Sequence, residues 1–431
     1  MIIVFFILLA FLSLPGALPL PGALSGVASA QEPEACTPAS GEPLRIGAIL
    51  PQQALLSLSL MEPYESALAM ADAFNACGGV NGRPVEWLFV SAVDRRDAQE
   101  ALTELRDQGI TLIVGSGTAA VREVLETASA DGSFVLWEIS ETLEGISDWA
   151  FTTRPTHRQL GEVAAQFVQT DLQQMLGLRT LQTAFIYEER PRGEDIARGV
   201  RASLPLNYEL GYGNSLNDTR SIARRIRQEQ LNVVLVSTFD SDADGLWYAL
   251  READANIAAW VHIGGPGYRS GLCRRYGNND ALISVTTLGE VSMDYQEALD
   301  GDRVRLFREH YVRANSSLPS QSASSAAAGV YMLLRYVLPE LNGDLTPENI
   351  RETIMSVDVP PLSGLMGEGL AIDPETNVNR YPGVLIQQRQ NGQFCTLWPE
   401  GVATCSASIE PFPTWRERAL RTSGAVCQDP V

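Results

Sequence analysis

Short apolar runs alternate with amphipathic segments along most of the chain, and this alternation constrains the fold more than any other feature. Between the runs, apolar residues recur at helical spacing, as at Ala98, Leu102 and Leu105. Strands that are apolar throughout and alternate with helices form parallel sheets covered on both faces. The sequence therefore predicts an α/β fold. The predicted strands are residues 46–50, 85–90, 111–114, 134–137, 183–187, 233–236, 259–263, 282–285 and 384–388.

The alternation runs through the chain twice, with a break near residues 151–156. Two doubly wound parallel-sheet lobes joined by three hinge crossovers are therefore expected. The crossovers are predicted near residues 151–156, 285–291 and 371–380. The predicted lobes are residues 43–151 with 288–375 (lobe I) and residues 152–287 with 376–410 (lobe II).

The last part of the chain has a different character. A long helix is expected around residues 322–338. Beyond Cys395 the chain is rich in proline, which predicts an irregular segment that wraps the surface. Residues 411–431 are predicted to be an irregular tail.

The first thirty residues have the features of an export signal. Residues 1–14 are almost wholly apolar, helix-breaking residues follow, and Ala28 and Ala30 precede Gln31 in a cleavage pattern. A retained membrane anchor is the alternative, although the apolar run is short of the roughly 20 residues that span a bilayer. We expect residues 1–30 to be removed and the mature protein to be periplasmic.

The charge of the chain excludes several classes of function. It has 52 acidic residues against 32 basic ones, a formal charge of −20, and every basic residue is Arg. Binding to nucleic acid or to anionic lipid needs a basic surface, so neither partner is expected. Without Lys, the chain has neither a Schiff-base residue nor a P-loop.

The six cysteines predict disulfides. None lies in a C-x-x-C motif, and an even number in an exported chain favours disulfide bonds. Cys395 and Cys405 flank a turn-like segment and form the predicted pair. Buried thiols are the alternative, above all for Cys77. The other cysteines are Cys36, Cys273 and Cys427.

Motifs for catalysis, metals and cofactors are weak or missing. The three histidines, His157, His262 and His310, lack metal-ligand spacing. Residues 265–270 only loosely match a dinucleotide-binding G-x-G-x-x-G motif. Residues 240–245 match half of an EF-hand, but its twelfth position is Arg251, so a solvated loop with Asp244 capping the next helix is expected. We predict no cofactor, no metal and no enzyme.

Several segments resemble one family of exported receptors. Residues 44–51 read LRIGAILP, and residues 69–86 read AMADAFNACGGVNGRPVE. These look like the first strand, first helix and N-A-x-G-G-V-N-G-R signature of type I periplasmic solute-binding proteins, with the branched-chain amino acid and amide group nearest. Residues 113–118 and 151–155 are similar to that family's first turn and first crossover. The resemblance extends from about residue 43 to about residue 390.

The resemblance implies a function and a set of site residues. Such a receptor closes on a small polar ligand and delivers it to an ABC permease, here as a monomer. In lobe I, the Ser116, Gly117 and Thr118 turn follows a strand, and its N–H groups and hydroxyls suit a ligand carboxylate. The second lobe I segment is Ser140, Glu141 and Thr142. Helix capping without a ligand is the alternative for both segments.

The lobe II residues implied by the resemblance depart from the family pattern. Arg192 stands where amino-acid binders have an aromatic residue, and Gly265 stands where they have an acid for the ligand's ammonium group. Arg192 could meet a second carboxylate, and Glu138, Glu141, Glu188 or Asp240 could supply a relocated acceptor. The alternative is that these are solvated charges. The lobe II set is Tyr187, Arg192, Phe239, Asp240 and Gly265.

Two other functions stay open at this level. The same fold could pass a ligand signal to a membrane kinase or regulator instead of a permease. An exported enzyme that uses paired carboxylates as acid and base is the third possibility, and it would require two such groups about 5–10 Å apart.

Overall fold

The structure is a computed structural model that describes residues 36–52, 58–143, 145–264, 281–390 and 393–417, apart from the side chains of Leu58, Ser59 and Asp240. The predicted signal, Gly265, Cys273 and Cys427 lie outside the described residues. No helix within those ranges is long and apolar enough to span a membrane.

The described strands form two main sheets. The first has the order β2-β1-β3-β4-β5 and is parallel throughout, and the second has the order β14-β13-β10-β9-β8-β6-β7. The strands are β1 Leu44–Ile49, β2 Val85–Val90, β3 Leu112–Gly115, β4 Val135–Glu138, β5 Ala150–Thr152, β6 Thr183–Glu188, β7 Tyr208–Tyr212, β8 Val233–Ser237, β9 Ala259–Ile263, β10 Leu282–Thr286, β11 Asp358–Val359, β12 Leu370–Ala371, β13 Leu385–Gln390 and β14 Gln393–Trp398.

Helices cover the sheets. α4 continues into a π-helical turn at Val168–Leu172, and α9 continues into another at Leu333–Val337. The helices are α1 Leu58–Ala76, α2 Arg95–Asp107, α3 Ala119–Ser129, α4 His157–Phe167, α5 Pro191–Ser203, α6 Thr219–Gln228, α7 Asp240–Glu252, α8 Met293–Asn315, α9 Gln321–Met332 and α10 Pro347–Ser356.

The predicted α/β fold with two doubly wound lobes is confirmed, and each of the nine predicted strands is present within a few residues. The second sheet is mixed, because β13 runs antiparallel to β10 and β14. The break near residue 151 contains the short strand β5. The chain after Cys395 is not irregular at once, since residues up to Trp398 continue β14.

The predicted loop at residues 240–245 is also wrong. These residues form the first turns of α7, whose N-cap is Phe239, so Asp244 lies inside the helix. Carboxylates in the first turns of a helix interact favourably with the positive end of its dipole, which explains why an acidic run begins a helix here.

Each sheet has its own apolar core. The first core includes buried Ile46, Trp137 and Tyr331, so α9 packs on the first sheet although it is distant in sequence. The second core includes Phe185 and Trp260 of the second sheet. The domain boundaries given above remain a prediction.

The chain passes between the two sheets three times, after β5, after β10 and before β13. Hydrogen bonds link these crossings to one another. Arg154 Nη2 in the first crossing donates to Thr287 Oγ1 in the second, over 2.8 Å. Gly383 N in the third crossing donates to Thr153 O in the first, over 3.4 Å. The three crossings therefore form one connected segment between the sheets.

The structure contains the predicted disulfide between Cys395 and Cys405, whose Cα atoms are 5.9 Å apart. It also joins Cys36 to Cys77, with Cα atoms 4.3 Å apart. A free thiol at Cys77 is therefore excluded.

Glu368 is a buried acid in the segment that leads to β12. Its side chain is 2% exposed, and one carboxylate oxygen accepts a hydrogen bond from Met366 N over 2.8 Å. The other oxygen, Oε1, has no hydrogen-bond partner within the described ranges. The nearby Tyr295 donates its hydroxyl to Gly364 O. Burial raises the pKa of Glu368 from 4.5 to about 7.

We predict that Glu368 makes the protein less stable as the pH rises. The folded protein keeps this carboxyl protonated up to about pH 7, whereas the unfolded chain ionises it near pH 4.5. The contribution is present below pH 4.5 and is lost as the pH rises through 7, a loss of about 3 kcal/mol. Between pH 4.5 and pH 8, urea unfolding should show a loss of stability that is about 3 kcal/mol larger in the native protein than in Glu368→Gln.

The matched control is Glu348→Gln, which changes an exposed acid on α10. It should keep the native pH dependence. If Glu368→Gln and Glu348→Gln behave alike, Glu368 does not titrate near neutral pH in the folded protein.

Candidate ligand-binding site

In the first sheet, the carboxyl ends of β3 and β4 lie side by side, with Gly115 paired to Glu138. Open α/β sheets bind ligands beyond this edge of the sheet. The turn after β3 has a cis peptide between Gly115 and Ser116. Gly117 has a φ of 79°, and a Cβ there would overlap Pro51. The close approach of Pro51 therefore requires glycine at this position.

A buried carboxylate of the protein occupies the donors at this edge. Oε1 of the fully buried Glu138 accepts hydrogen bonds from Ser116 N (3.0 Å), Ser140 N (2.8 Å), Glu141 N (2.9 Å) and the Ser140 hydroxyl (2.9 Å). Gly117 N donates to Ser140 Oγ over 2.7 Å. The expectation that the N–H groups of Ser116 and Gly117 are free for a ligand is therefore wrong.

The hydroxyl groups of Ser116, Thr118 and Thr142, predicted to contact the ligand, differ in their hydrogen bonds. Thr118 Oγ1 accepts from Val121 N over 3.3 Å and so caps α3. Thr142 Oγ1 donates to Pro155 O over 3.5 Å, which places this loop against the first crossing. The Ser116 hydroxyl is buried and has no hydrogen-bond partner in the part of the chain that the structure describes.

Glu141 gives this edge a second acid. Its side chain is partly buried, and burial followed by the charge of Glu138 raises its pKa, which Arg154 and Arg122 oppose. Arg154 also donates through Nη1 to Ser325 Oγ over 2.8 Å, so it connects the first crossing to α9. The lobe I edge thus has two acids near one arginine of the crossing.

In the second sheet, β6 ends at Glu188, which is 2% exposed. Its Oε1 lies 3.6 Å from Arg192 Nη1, and its Oε2 has no hydrogen-bond partner among the described residues. Arg192 also donates to Gly264 O. Burial raises the pKa of Glu188, and the charge of Arg192 opposes that shift. A Cβ at Gly193 would overlap Glu188 O, so glycine allows α5 to begin against the end of this strand.

The structure brings Phe239 near this edge but turns Tyr187 away from Arg192. Phe239 is 38% exposed, and the Arg190 guanidinium lies 4.8 Å from the centre of its ring. The Tyr187 hydroxyl instead accepts a hydrogen bond from Arg201, in the last turn of α5, over 2.8 Å. Asp240 begins α7, beside Phe239.

His157 was not among the predicted site residues, although it begins α4 directly after the first crossing. Burial and then the charge of Arg192 lower its pKa from 6.5 to about 4, so it is neutral near pH 7. Arg122 and Arg154 act on it in the same direction. The sequence signal available for it was its position two residues after Pro155. Among the described residues, no group of three His, Cys, Asp or Glu side chains is placed to hold a metal ion.

The structure resembles solved solute-binding proteins. A candidate branched-chain amino acid ABC transporter protein from Rhodospirillum rubrum is 19% identical, with a TM-score of 0.66, over 82% of this chain and all of that one. An ABC transporter substrate-binding protein from Desulfitobacterium hafniense, in complex with Leu, is 14% identical, with a TM-score of 0.61, over 83% of this chain and all of that one. A solute-binding protein from R. palustris in complex with benzoate is 14% identical, with a TM-score of 0.54, over 86% and 99% of the two chains.

No curated protein sequence matches this chain. The family model described as periplasmic binding protein matches residues 43–393, which include both sheets up to the start of β14. The match covers most of the chain, and it agrees with the two-lobed fold. The chain belongs to the periplasmic binding protein family.

Proposed function

We propose that this protein is an exported receptor that binds a small polar solute between its lobes and delivers it to an ABC-type permease. The observation that carries the proposal is the placement of polar side chains at the strand ends of both sheets, next to three linked crossings. The neighbours described as ABC transporter proteins support the permease as the partner.

Ligand binding in this proposal is coupled to closure. A ligand that contacts both lobes binds the closed state more tightly than the open one and shifts the population towards it. The hydrogen bonds from Arg154 to Thr287 and from Gly383 to Thr153 lie where the hinge would move. The solute is bound and released unchanged, so the protein is not an enzyme and uses no cofactor.

The proposal includes export and a monomeric receptor. Residues 1–30 would direct the chain to the periplasm and be removed there. The formal charge of −20 is unsuited to nucleic acid. The predicted ligand contacts remain part of the proposal, and they are Ser116, Gly117, Thr118, Ser140, Glu141, Thr142, Tyr187, Arg192, Phe239, Asp240 and Gly265.

We predict that one class of small solute will both stabilise and compact the mature protein, residues 31–431. A ligand at a hundredfold excess over its Kd stabilises the folded state by about 2.7 kcal/mol. A thermal-shift screen of amino acids, amides, polyamines, dicarboxylates and aromatic acids identifies the class. Small-angle scattering with the best ligand should then show a smaller radius of gyration at saturation.

Two results would contradict parts of this proposal. Saturable binding without any change in scattering dimensions would argue against closure. The absence of a shift with every solute, in folded protein free of carried-over ligand, would argue against a solute receptor.

A further inference from the structure

The segment that follows β14 contacts both cores of the protein. β14 is a strand of the second sheet, but the chain beyond it makes a short helical turn at Glu400–Val402 that reaches the first core. Val402 is fully buried there. The chain then returns, and Ile409 is buried in the second core. Residues 399–404, here called the strap, therefore leave the second lobe, contact the first and come back.

The tip of the strap is seated on the first lobe by a hydrogen bond and by close packing. Val402 O accepts a hydrogen bond from Ser292 N, at the start of α8, over 3.1 Å. A Cβ at Gly367 would lie 3.0 Å from Val402 Cγ1. A Cβ at Gly401 would lie 2.7 Å from Leu362 Cδ1. The strap and the first lobe are therefore in direct contact at both glycines.

The residues that receive the tip are fixed to their own lobe. Leu362 N donates to Gly367 O over 3.1 Å, which closes the receiving loop on itself. Gln296, on α8, donates through Nε2 to Leu365 O over 2.9 Å. The receiving loop is thus tied to a long helix, so the strap cannot move away from the first lobe without losing its contacts with this loop.

The base of the strap is closed on the second lobe. The disulfide between Cys395 and Cys405 joins its two arms. Thr396 N donates to Thr404 Oγ1, and Thr404 N donates to Thr396 O, each over 2.9 Å. The Thr396 hydroxyl donates to Glu290 O, in the second crossing. The base is therefore fixed both to the second sheet and to one of the crossings between the sheets.

The disulfide keeps the strap short. An extended chain spans at most about 3.5 Å per residue, and a loop that returns to its starting point reaches about half of its extended length. With the disulfide closed, residues 399–403 alone are free to follow a movement of the first lobe. Without it, the next buried anchor in the second core is Ile409, so the free segment lengthens to residues 399–408.

We propose that the strap limits the rotation of the two lobes about the crossings, and that the Cys395–Cys405 disulfide sets how far they can turn. Rotation beyond the reach of the strap pulls Val402 out of the first core and breaks its hydrogen bond to Ser292. Such a restraint narrows the range of lobe orientations from which a ligand selects the closed one. It acts in the ligand-free protein, and so it goes beyond the proposed receptor function.

The test measures the distance between the lobes in the mature protein without ligand. A ketone-bearing amino acid replaces Glu104, exposed on α2, and Arg198, exposed on α5, so that spin labels are attached without using cysteine. Double electron–electron resonance then gives the distribution of label distances. The double variant Cys395→Ser, Cys405→Ser should broaden this distribution by about twofold, because the longer free segment permits larger rotations.

A second variant tests the tip of the strap while the disulfide stays closed. Val402→Ser places a hydroxyl in an apolar site, and it should also broaden the distance distribution. The matched control is Val312→Ser, the same change at a valine of α8 that is 37% exposed. The control for the cysteines is the double variant Cys36→Ser, Cys77→Ser, which removes the other described disulfide. Both controls should keep the native distribution.

Hydrogen exchange of the Ser292 amide shows directly whether the tip is seated, because this N–H donates to Val402 O. Exchange at Ser292 should be about tenfold faster than in the native protein when the strap is released. Where a substitution prevents folding, inserting Gly-Ser-Gly after Ala403 lengthens the strap and keeps every native side chain and the disulfide. This insertion should also broaden the distance distribution.

Three results would overturn the proposal. The first is fast exchange at Ser292 in a strap variant whose distance distribution is native, because the lobes then do not depend on the strap. The second is slow exchange with a native distribution after loss of the Cys395–Cys405 disulfide. The third is equal broadening in the Cys36→Ser, Cys77→Ser control. None of these measurements involves a solute, so the receptor function is decided separately by the thermal-shift screen.

Discussion

Replacing Glu138 with alanine is expected to lower the stability of the first sheet by about 4 kcal/mol, because it leaves several buried donors without a partner. The carboxylate accepts from three backbone N–H groups and one hydroxyl, and the side chain is fully buried. An orphaned buried donor costs about 1–3 kcal/mol. Water would recover part of this cost only if it entered the space left by the carboxylate.

Hydrogen exchange of the β3 and β4 amides in the native state measures this loss locally, which matters because two lobes need not unfold together. Glu138→Gln keeps an acceptor oxygen at the Oε1 position, which takes all four of these hydrogen bonds, and should lose much less stability. The control is Glu100→Ala, which removes an exposed acid paired with Arg96 on α2 and should change stability by less than about 0.5 kcal/mol. If Glu138→Ala and Glu100→Ala are equally stable, the hydrogen bonds to Glu138 do not hold together the segments that follow β3 and β4.

The central strands could be predicted from the sequence because they are buried on both faces. β8 and β9, for example, have no exposed residue and appear as continuous apolar runs. β7 is not predicted because it lies at the edge of the second sheet and reads Tyr-Glu-Leu-Gly-Tyr, where only the two tyrosines are buried. β14 lies at the opposite edge of the second sheet. It is not predicted because the prolines after Cys395 indicate an irregular segment.

The strand ends that carry the proposed contacts could be predicted from the sequence, but the hydrogen bonds there could not. Strand ends identify where Ser116, Glu141 and Arg192 lie, because the carboxyl edge of a parallel sheet follows from the order of strands and helices. Which groups donate to which acceptors depends on side-chain geometry. The bond from Ser116 N to Glu138 therefore could not be read from the spacing of 22 residues between them.

An aromatic cluster attaches the C-terminal segment to the second sheet. The ring of Trp247, on α7, lies 5.4 Å from Trp260, 5.4 Å from Phe412 and 5.3 Å from Trp415, in edge-to-face arrangements. The segment also bonds to the loop before β9, where Phe412 N donates to Ala258 O over 3.0 Å. Trp247 therefore contacts both the second sheet and the C-terminal segment.

Trp247→Ala is expected to lower the free energy of unfolding of the second lobe by about 3–5 kcal/mol, through the lost burial and the cavity it leaves. Because Trp247 is 3% exposed and contacts Phe412 and Trp415, the variant should also release the segment after residue 405 to proteolysis. The control is Tyr248→Ala on the same helix, where the side chain is 49% exposed and little burial is lost. Calorimetry and limited proteolysis should separate the two variants. Equal melting temperatures and equal cleavage would mean that the segment is held by its backbone bonds and the Cys395–Cys405 disulfide instead.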